Sequence, residues 1–472
     1  YFPDYVDGVA TAEAEKYAFL RDDLPTGMND WKPKSYQWQE PATYYRWVRE
    51  DRSWMFKIES GSASLPPVSS LARFLPDLGT RDTGGAPFPL TPAWAHHGAN
   101  RYYKPYDEAI RRLHGEPHSV ADYCWKAHLV TADQHRAFYE AVNHRMWEIT
   151  SGFTEWKINS CFPDVQWQNF DYFHKPVVSH FFIKRACEPL HVQMDLLDHA
   201  VSVINCRPRP QPDLEVTATV FDLEAKQLWQ RSVRLDAPAN AYREAFAIPG
   251  LTDLAPFVFV KLQMKDAAGR PVSDSFYWLP GRDTTDYKPL QKLPLVRLST
   301  TTSVEDQGDE KVARVNVTNP TQQIAFFIQL ALTQGDGGEE ILPVIWSDNY
   351  FSLAPGETRE FTARVAGRDL GSGKPAIEVG GWNVQTDYRC VELKPSKPSV
   401  HAGEPFSVAA GIAGTFLDGS RVALLVDGRP AETQWSWARG SRRDELTFTL
   451  ALHERGTHRL SVAGRTTEVN VQ

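Results

Sequence analysis

An α/β region followed by three consecutive all-β modules is the fold class predicted for this chain of 472 residues. Three observations carry the prediction. The length suits three or four domains at about 100 to 200 residues each. Up to about residue 188, helical stretches alternate with short apolar runs, the pattern of a parallel α/β layer or barrel. Beyond it, period-two alternation broken by Pro, Asp and Gly turns takes over.

Taken in order, WMFKI (54–58) reads as a strand that ends in Glu59 and runs into Ser60, Gly61, Ser62, Ala63 and Ser64. SSLARFLPDLG (69–79) predicts a short helix capped by Ser69 or Ser70 and closed near Pro76. TADQHRAFYEAVNHRMWEITSG (131–152) predicts a longer one, with Thr131 as N-cap, Phe138, Val142 and Trp147 at helical spacing, and Gly152 as stop. FTEWKI (153–158) is a second strand in this α/β region of residues 1–188. HVQM, AVSVINC, LEVTATVFDL, QLWQRSVRL, FVFVKLQMKDAAG and SDSFYWLP then build a β-sandwich over 189–290. ARVNVTN, AFFIQLALTQ, YFSLAPGETREFTARV and AIEVGGWN build another over 291–395. A third, 396–472, opens after the linker-like Pro395-Ser-Lys-Pro398 and closes with ELTFTLALHERGTHRLSVAG, which reads as a hairpin.

Composition removes several classes of function. A net charge of −8 with no Lys/Arg-rich run argues against nucleic acid and anionic membrane as partners. No apolar stretch approaches the roughly 18 residues of a membrane span. The five cysteines are scattered, without a CxxC, so neither a zinc knuckle nor a disulfide framework is indicated. The 15 Trp and 17 Tyr suit stacking on sugar rings, although the cores of large β assemblies also take up Trp.

In a parallel α/β barrel the reacting groups sit at the C-terminal ends of the strands, where the loops converge. Glu59 ends one strand, and Trp156, Lys157, Ile158 and Asn159 end another. A carboxylate there can attack an electrophilic carbon, activate water or hold a cation, and the small residues after it would leave room for a ligand. The bland alternative is a buried Glu bonded to a neighbouring loop.

MFKIESGSASLPPVSSLARFLPD, EWKINSCFPDVQWQNFDYFHKPVVSHFFIKRACEPLHVQ and LPVIWSDNYFSLAPGET, in this order, resemble glycoside hydrolase family 2, in its branch of β-mannosidases, endo-β-mannosidases and exo-β-glucosaminidases. Glu59, Gly61 and Pro66 stand where that family carries its nucleophile motif. The resemblance covers about residues 40 to 390. It implies that residues 1–188 are the C-terminal part of a (β/α)8 TIM barrel and that the later modules are three immunoglobulin-like β-sandwich domains. It also implies a retaining hydrolase of β-mannosides, with the Manβ1-4GlcNAc linkage of N-glycan cores as one candidate substrate, and no cofactor. The alternatives are an exo-β-D-glucosaminidase acting on chitosan-type substrates and a non-catalytic carbohydrate-binding half.

The resemblance makes Glu59 the nucleophile and Trp156 the platform under the cleaved sugar, with Asn159 and Trp167 as further pocket residues. Trp94, with His96 and His97 in TPAWAHHGAN, would line the aglycone side and Trp38 a preceding loop; each could instead pack on its own loop. Adjacent His96 and His97 point apart, which disfavours a metal site. TQGDGGEE (333–340) reads as a solvated acidic turn rather than a calcium loop.

Two departures from the family pattern matter. Cys161-Phe162-Pro163 replaces the more usual Trp-Pro, and the Asn-Glu pair that carries the family's acid/base occurs nowhere in the chain. Glu40 and Glu50 fit no strand-end role. The expected partners are therefore a β-linked oligosaccharide or glycoside and an N-terminal half of the enzyme, as a separate polypeptide, that brings the acid/base. A periplasmic or extracellular compartment is favoured.

Overall fold

The computed structural model describes residues 38–50, 56–75, 92–99, 103–144, 146–147, 152–282, 284–335, 338–370, 374–416, 422–439 and 444–472, with residues 56–60 described by their backbone. Helix α1 (Pro41–Glu50) leads to β1 (Phe56–Ser60), α2 (Val68–Leu71), α3 (Pro92–His96), α4 (Lys104–His114) and the 25-residue α5 (Val120–His144). Strand β2 (Gly152–Glu155) and α6 (Val178–Ala186) complete the α/β region. Among the described residues its sheet has two strands, β1 and β2, paired in parallel.

Helix α5 does not begin at Thr131 as the sequence predicts. It begins eleven residues earlier, where the Asp122 N–H donates to Ser119 Oγ at 3.0 Å and the His118 N–H to Asp122 Oδ2 at 3.0 Å, a Ser-x-x-Asp cap. Thr131 is buried mid-helix and gives its hydroxyl to the Ala63 carbonyl at 3.2 Å. A cap-competent residue and a buried helical Thr look alike in sequence; the carbonyl waiting opposite separates them. Gly152 does not stop this helix but opens β2. The predicted helix at 69–79 is a single turn, Val68–Leu71, and residues 76–79 lie outside the described residues.

Three β-sandwiches follow. The first pairs the sheet of β3 (Leu190–Met194), β4 (Ala200–Asn205) and β7 (Ala241–Ala247) with that of β5 (Gln211–Phe221), β6 (Gln227–Ala237), β8 (Phe257–Lys265) and β9 (Pro271–Pro280). The second sets β10 (Ser299–Gln307), β11 (Glu310–Thr318), β13 (Ile345–Trp346) and β15 (Thr358–Ala366) against β12 (Ala325–Thr333), β14 (Phe351–Leu353) and β16 (Ala376–Gly381). Strand β10 has no apolar alternation in sequence. It lies at the sheet edge with every residue exposed, protected by its charged end.

In the third, β17 (Arg389–Pro395), β19 (Pro405–Ala413), β22 (Gln434–Arg439) and β23 (Asp444–Ala451) face β18 (Ser399–Val400), β20 (Leu425–Val426), β21 (Arg429–Pro430), β24 (Gly456–Val462) and β25 (Arg465–Val471). Two expectations shift here. Strand β17, placed by sequence at the end of the second module, pairs with β19, so the third module reaches back to Arg389 and Pro395-Ser-Lys-Pro398 lies inside it. The expected closing hairpin is not one: β23 pairs with β19 and β22, whereas β24 pairs with β25 and β20 in the other sheet. Alternation marks a strand but not its partner.

The modules are fused rather than strung. One apolar core runs from Leu129 and Ala132 of α5 and Phe181 and Phe182 of α6 through Trp278 of the first sandwich to Phe326 and Phe327 of the second. Arg185 at the end of α6 forks onto Asp348, with Nη2 to Oδ1 at 2.8 Å and Nε to Oδ1 at 3.0 Å, and also donates to the Asn349 and Tyr350 carbonyls. Lys175, nearly buried, pairs with Glu340 at 2.6 Å, so the end of the TQGDGGEE turn is committed to an inter-module bridge rather than solvated.

The first sandwich is tied to α5 by buried Glu140. Its carboxylate accepts from Tyr277 OH at 2.7 Å, Tyr45 OH at 3.2 Å and His191 Nε2 at 3.2 Å. Burial opposes the charged form of His191, but hydrogen bonds to Glu140 and Glu188 and their charges outweigh it and hold its pKa up at about 9. Replacing Glu140 with Ala strands a buried charge and should cost about 3–5 kcal/mol, read as a lower urea midpoint. A histidine whose folded pKa is raised contributes its full stability below the unfolded value of about 6.5 and loses it as pH climbs through the folded one. The wild-type melting temperature should therefore fall between pH 7 and 9.5 (about, allowing for the unfolded and folded values), and a His191→Gln protein should show a flatter profile in the same scan.

Candidate active site

The C-terminal ends of β1 and β2 lie side by side. Phe56 is opposite Gly152, Lys57 opposite Phe153 and Ser60 opposite Glu155, with an irregularity between Lys57 and Ser60. Glu59 is the penultimate residue of β1 and Trp156 the first residue after β2, so parallel pairing brings both to one end of the sheet. The Glu59 side chain lies outside the described residues.

The helical side of this sheet is closed. Phe153 packs against Phe138 and Tyr139 with ring centroids 4.6 and 4.4 Å away. Glu155, a strand-end carboxylate that the sequence shows but that was not singled out, accepts from Tyr139 OH at 3.0 Å and lies 3.8 Å from His135 Nε2. Burial pushes the His135 pKa down to about 4, and its Nδ1–H donates to the Thr131 carbonyl at 2.9 Å, so it is neutral at ordinary pH. Glu155 is thus engaged with α5.

Beyond Ser60, the small residues pack against the helices. Residues 61–67 are buried and lie against the helices. The Ala63 carbonyl takes the Thr131 hydroxyl, Ser64 Oγ meets Ser179 Oγ at 2.8 Å, and His128 Nε2–H donates to the Leu65 carbonyl at 3.1 Å. Small side chains let the backbone approach α5 closely enough for these bonds.

The loop from Trp156 to Val177 follows β2 and leads to α6. Trp156 is 50% exposed and Asn159 is also exposed, bridged through its backbone to Phe170. Trp167 is half-buried, and its carbonyl accepts the Lys157 N–H at 3.2 Å. Asp164 cinches the loop: Oδ2 takes Ser160 Oγ at 2.7 Å and Lys157 Nζ at 2.9 Å, and Oδ1 the Gln166 N–H at 3.3 Å. Helix α3 docks on it through His97, whose Nδ1–H donates to the Pro163 carbonyl at 2.6 Å and whose own carbonyl takes the Val165 N–H at 2.9 Å. Exposed His96 meets Phe162 edge-on at 5.6 Å.

The other two tryptophans are elsewhere. Trp94 is 5% exposed and packs edge-on to Tyr123 at 6.0 Å, in the core rather than on an aglycone wall. Trp38 lies under the Arg112 guanidinium at 5.0 Å and lines a cavity of about 610 Å³ between the helices and the first sandwich. Among the described residues, none of β2 or of 156–177 lines that cavity. Of the residues singled out by sequence, Trp156 and Asn159 follow the end of β2, Trp167 bonds to that segment through its backbone, and His96 touches it at Phe162. Phe162, in the Cys161-Phe162-Pro163 departure from the family pattern, and His97, beside His96, stack on each other there.

An exposed aromatic loop thus follows the strand ends of a parallel α/β layer, with sandwich modules packed against its helices. Residues 275–384 match the family described as the exo-β-D-glucosaminidase Ig-fold domain. The chain is 28% identical over 394 residues to an exo-β-D-glucosaminidase of Streptomyces avermitilis, covering 76% of this chain and 42% of that protein. It is 24% identical over 440 residues to a mannosylglycoprotein endo-β-mannosidase of Lilium longiflorum, covering 77% and 45%. The crystal structure of the Amycolatopsis orientalis exo-chitosanase CsxA superposes with a TM-score of 0.66 at 23% identity, covering 75% of this chain and 45% of that one, a likeness of fold. The chain is thus similar to exo-β-D-glucosaminidases and to an endo-β-mannosidase, in keeping with the resemblance that its motifs carry. It spans less than half the length of the curated relatives it matches.

Because Asp164 holds the loop closed from inside, Asp164→Ala should loosen residues 157–169 by about 1–2 kcal/mol while leaving the global unfolding midpoint nearly unchanged. Hydrogen exchange read by mass spectrometry should show local amides exchanging about 5- to 30-fold faster.

Proposed function

We propose that this chain carries the nucleophile side of a retaining β-glycosidase. Glu59 attacks the anomeric carbon while a carboxylic acid protonates the leaving oxygen; the C1–O bond breaks, a glycosyl ester forms, and water then releases the sugar with its configuration retained. Trp156 lies under the sugar ring, and Asn159 and Trp167 complete the pocket wall. The observation that carries this reading is the parallel register of β1 and β2, which supports a shared mouth for Glu59 and Trp156.

The two strands are read as part of a (β/α)8 barrel. The two strands among the described residues cannot by themselves close a barrel, whose core and mouth need eight. The remaining strands and the acid/base are assigned to the N-terminal half of the enzyme, in keeping with the missing Asn-Glu pair and the partial coverage of the relatives. The modules behind the barrel act as its buttress.

For the sugar, a β-linked glucosaminide of the chitosan type is the better supported choice, because several matched relatives are exo-β-D-glucosaminidases and the matched domain bears that description. The β-mannoside that the motifs first suggest is kept as the second reading by the endo-β-mannosidase relative. Rates on an aryl β-glucosaminide and an aryl β-mannoside, measured with the N-terminal half present, separate the two. In that assembly Glu59→Gln should lower turnover on the order of 10⁴-fold or more. A fluorinated glycosyl fluoride should leave its sugar on the peptide containing Glu59. Undiminished turnover by the Gln variant, or label on another residue, rejects the assignment.

A further inference from the structure

We propose that Phe162 is a second aromatic platform of this mouth and that it carries the sugar beyond the one cleaved, making the site selective for β-linked oligosaccharides over glycosides with small leaving groups. The proposal rests on the glycosidase reading above and adds to it a subsite built from other residues.

Phe162 is 44% exposed, in a loop otherwise tied down by hydrogen bonds. One side of its ring is supported: the His97 imidazole stacks on it with centroids 5.2 Å apart and planes 15° from parallel, and His96 meets it edge-on. His97 is itself immobilised, bonded to the Pro163 carbonyl at 2.6 Å and backed by Phe74 at 4.7 Å. Phe162 therefore stands on a column, His97 and then Phe74, that fixes the direction of its ring. With both imidazoles against it, the residue still keeps 44% of its surface exposed.

An open, rigid aromatic face suits the C–H face of a pyranose, because apolar area is removed from water and no side-chain freedom remains to be lost on binding. Its place suggests which pyranose. Trp156 and Phe162 occupy the two ends of one short loop segment, and the Lys157–Asp164 bridge at 2.9 Å ties together the residue after Trp156 and the one two beyond Phe162. Two exposed aromatic faces so joined suit two consecutive sugars, with Trp156 for the sugar that is cleaved and Phe162 for the one that leaves. The role is binding and positioning; Phe162 has no part in bond making.

The test uses Phe162→Ala and Phe162→Trp, a β-1,4-linked glucosamine disaccharide, and the fluoride of the same sugar, whose leaving group is too small to reach the platform. With the N-terminal half present, the Ala variant should lose about three- to tenfold in kcat/KM on the disaccharide, mainly through KM. It should keep the wild-type value on the fluoride, and the Trp variant should recover the disaccharide rate. Equal losses on both substrates, no loss on either, or a Trp variant as poor as Ala overturns the platform. Calorimetric titration of the 472-residue chain with disaccharide and with glucosamine separates this proposal from its parent. If wild type hydrolyses neither substrate, the glycosidase reading falls. The platform then stands only if the chain binds disaccharide more tightly than monosaccharide and Phe162→Ala removes that preference.

Discussion

The interaction on which the rest of this structure depends is the one between α5 and everything packed around it, and its fixed point is the buried carboxylate of Glu140. A helix of this length extends for about 37 Å. Near its start Ala121 joins the core of the third sandwich, further on Leu129 and Ala132 enter the core shared by the first two, and near its end Glu140 bonds to His191 and Tyr277 of the first. Few positions on α5 face water, so its polar residues must each find a partner inside. Lys126 meets Asp122 at 2.8 Å, Arg136 meets Asp133 at 2.5 Å, and His128 and His135 reach backbone carbonyls. Those bonds set the rotation of the helix as well as its position, because an apolar face alone would tolerate sliding.

The mouth inherits its geometry from this helix. The Ala63 and Leu65 carbonyls are held by Thr131 and His128, which fixes the segment that follows Glu59; Glu155 and Phe153 are held by Tyr139 and Phe138, which fixes β2. Both strand ends are thus positioned from the helical side, leaving the other side to loops. The loop that carries Trp156 and Phe162 is stiffened by Asp164 and by the docking of His97, so its exposed rings owe their orientation to polar bonds beneath them. Two histidines of α5 stay neutral by burial, with pKa values near 3 for His128 and 4 for His135, and so add no charge where they face β2 and the segment after β1.

Much of this was legible in the chain itself. Strands with apolar alternation, such as β5, β11 and β19, were readable because their two faces differ; β10 was not, since its Ser/Thr-rich run has water on both sides and therefore no contrast. The start of α5 was misplaced because Thr131 satisfies the local rule for a cap, while its hydroxyl answers a carbonyl nearly seventy residues away. Trp94 and Trp38 read like pocket aromatics because exposure is not written in a residue type. Trp94 is covered by Tyr123, and Trp38 turns to another cavity beneath Arg112.

By itself the sequence determined the succession of an α/β region and three sandwiches, the strand-end position of Glu59 and Trp156, and the family resemblance. All of these follow from local periodicity and motif order. Only the tertiary structure decided which strands pair, where the third module begins, and which aromatics are exposed. It also decided that the small residues after Glu59 serve close packing. Each of these turns on contacts between residues far apart in the chain, where the energy of burial and of matched polar groups is settled by the partner and not by the neighbour in sequence.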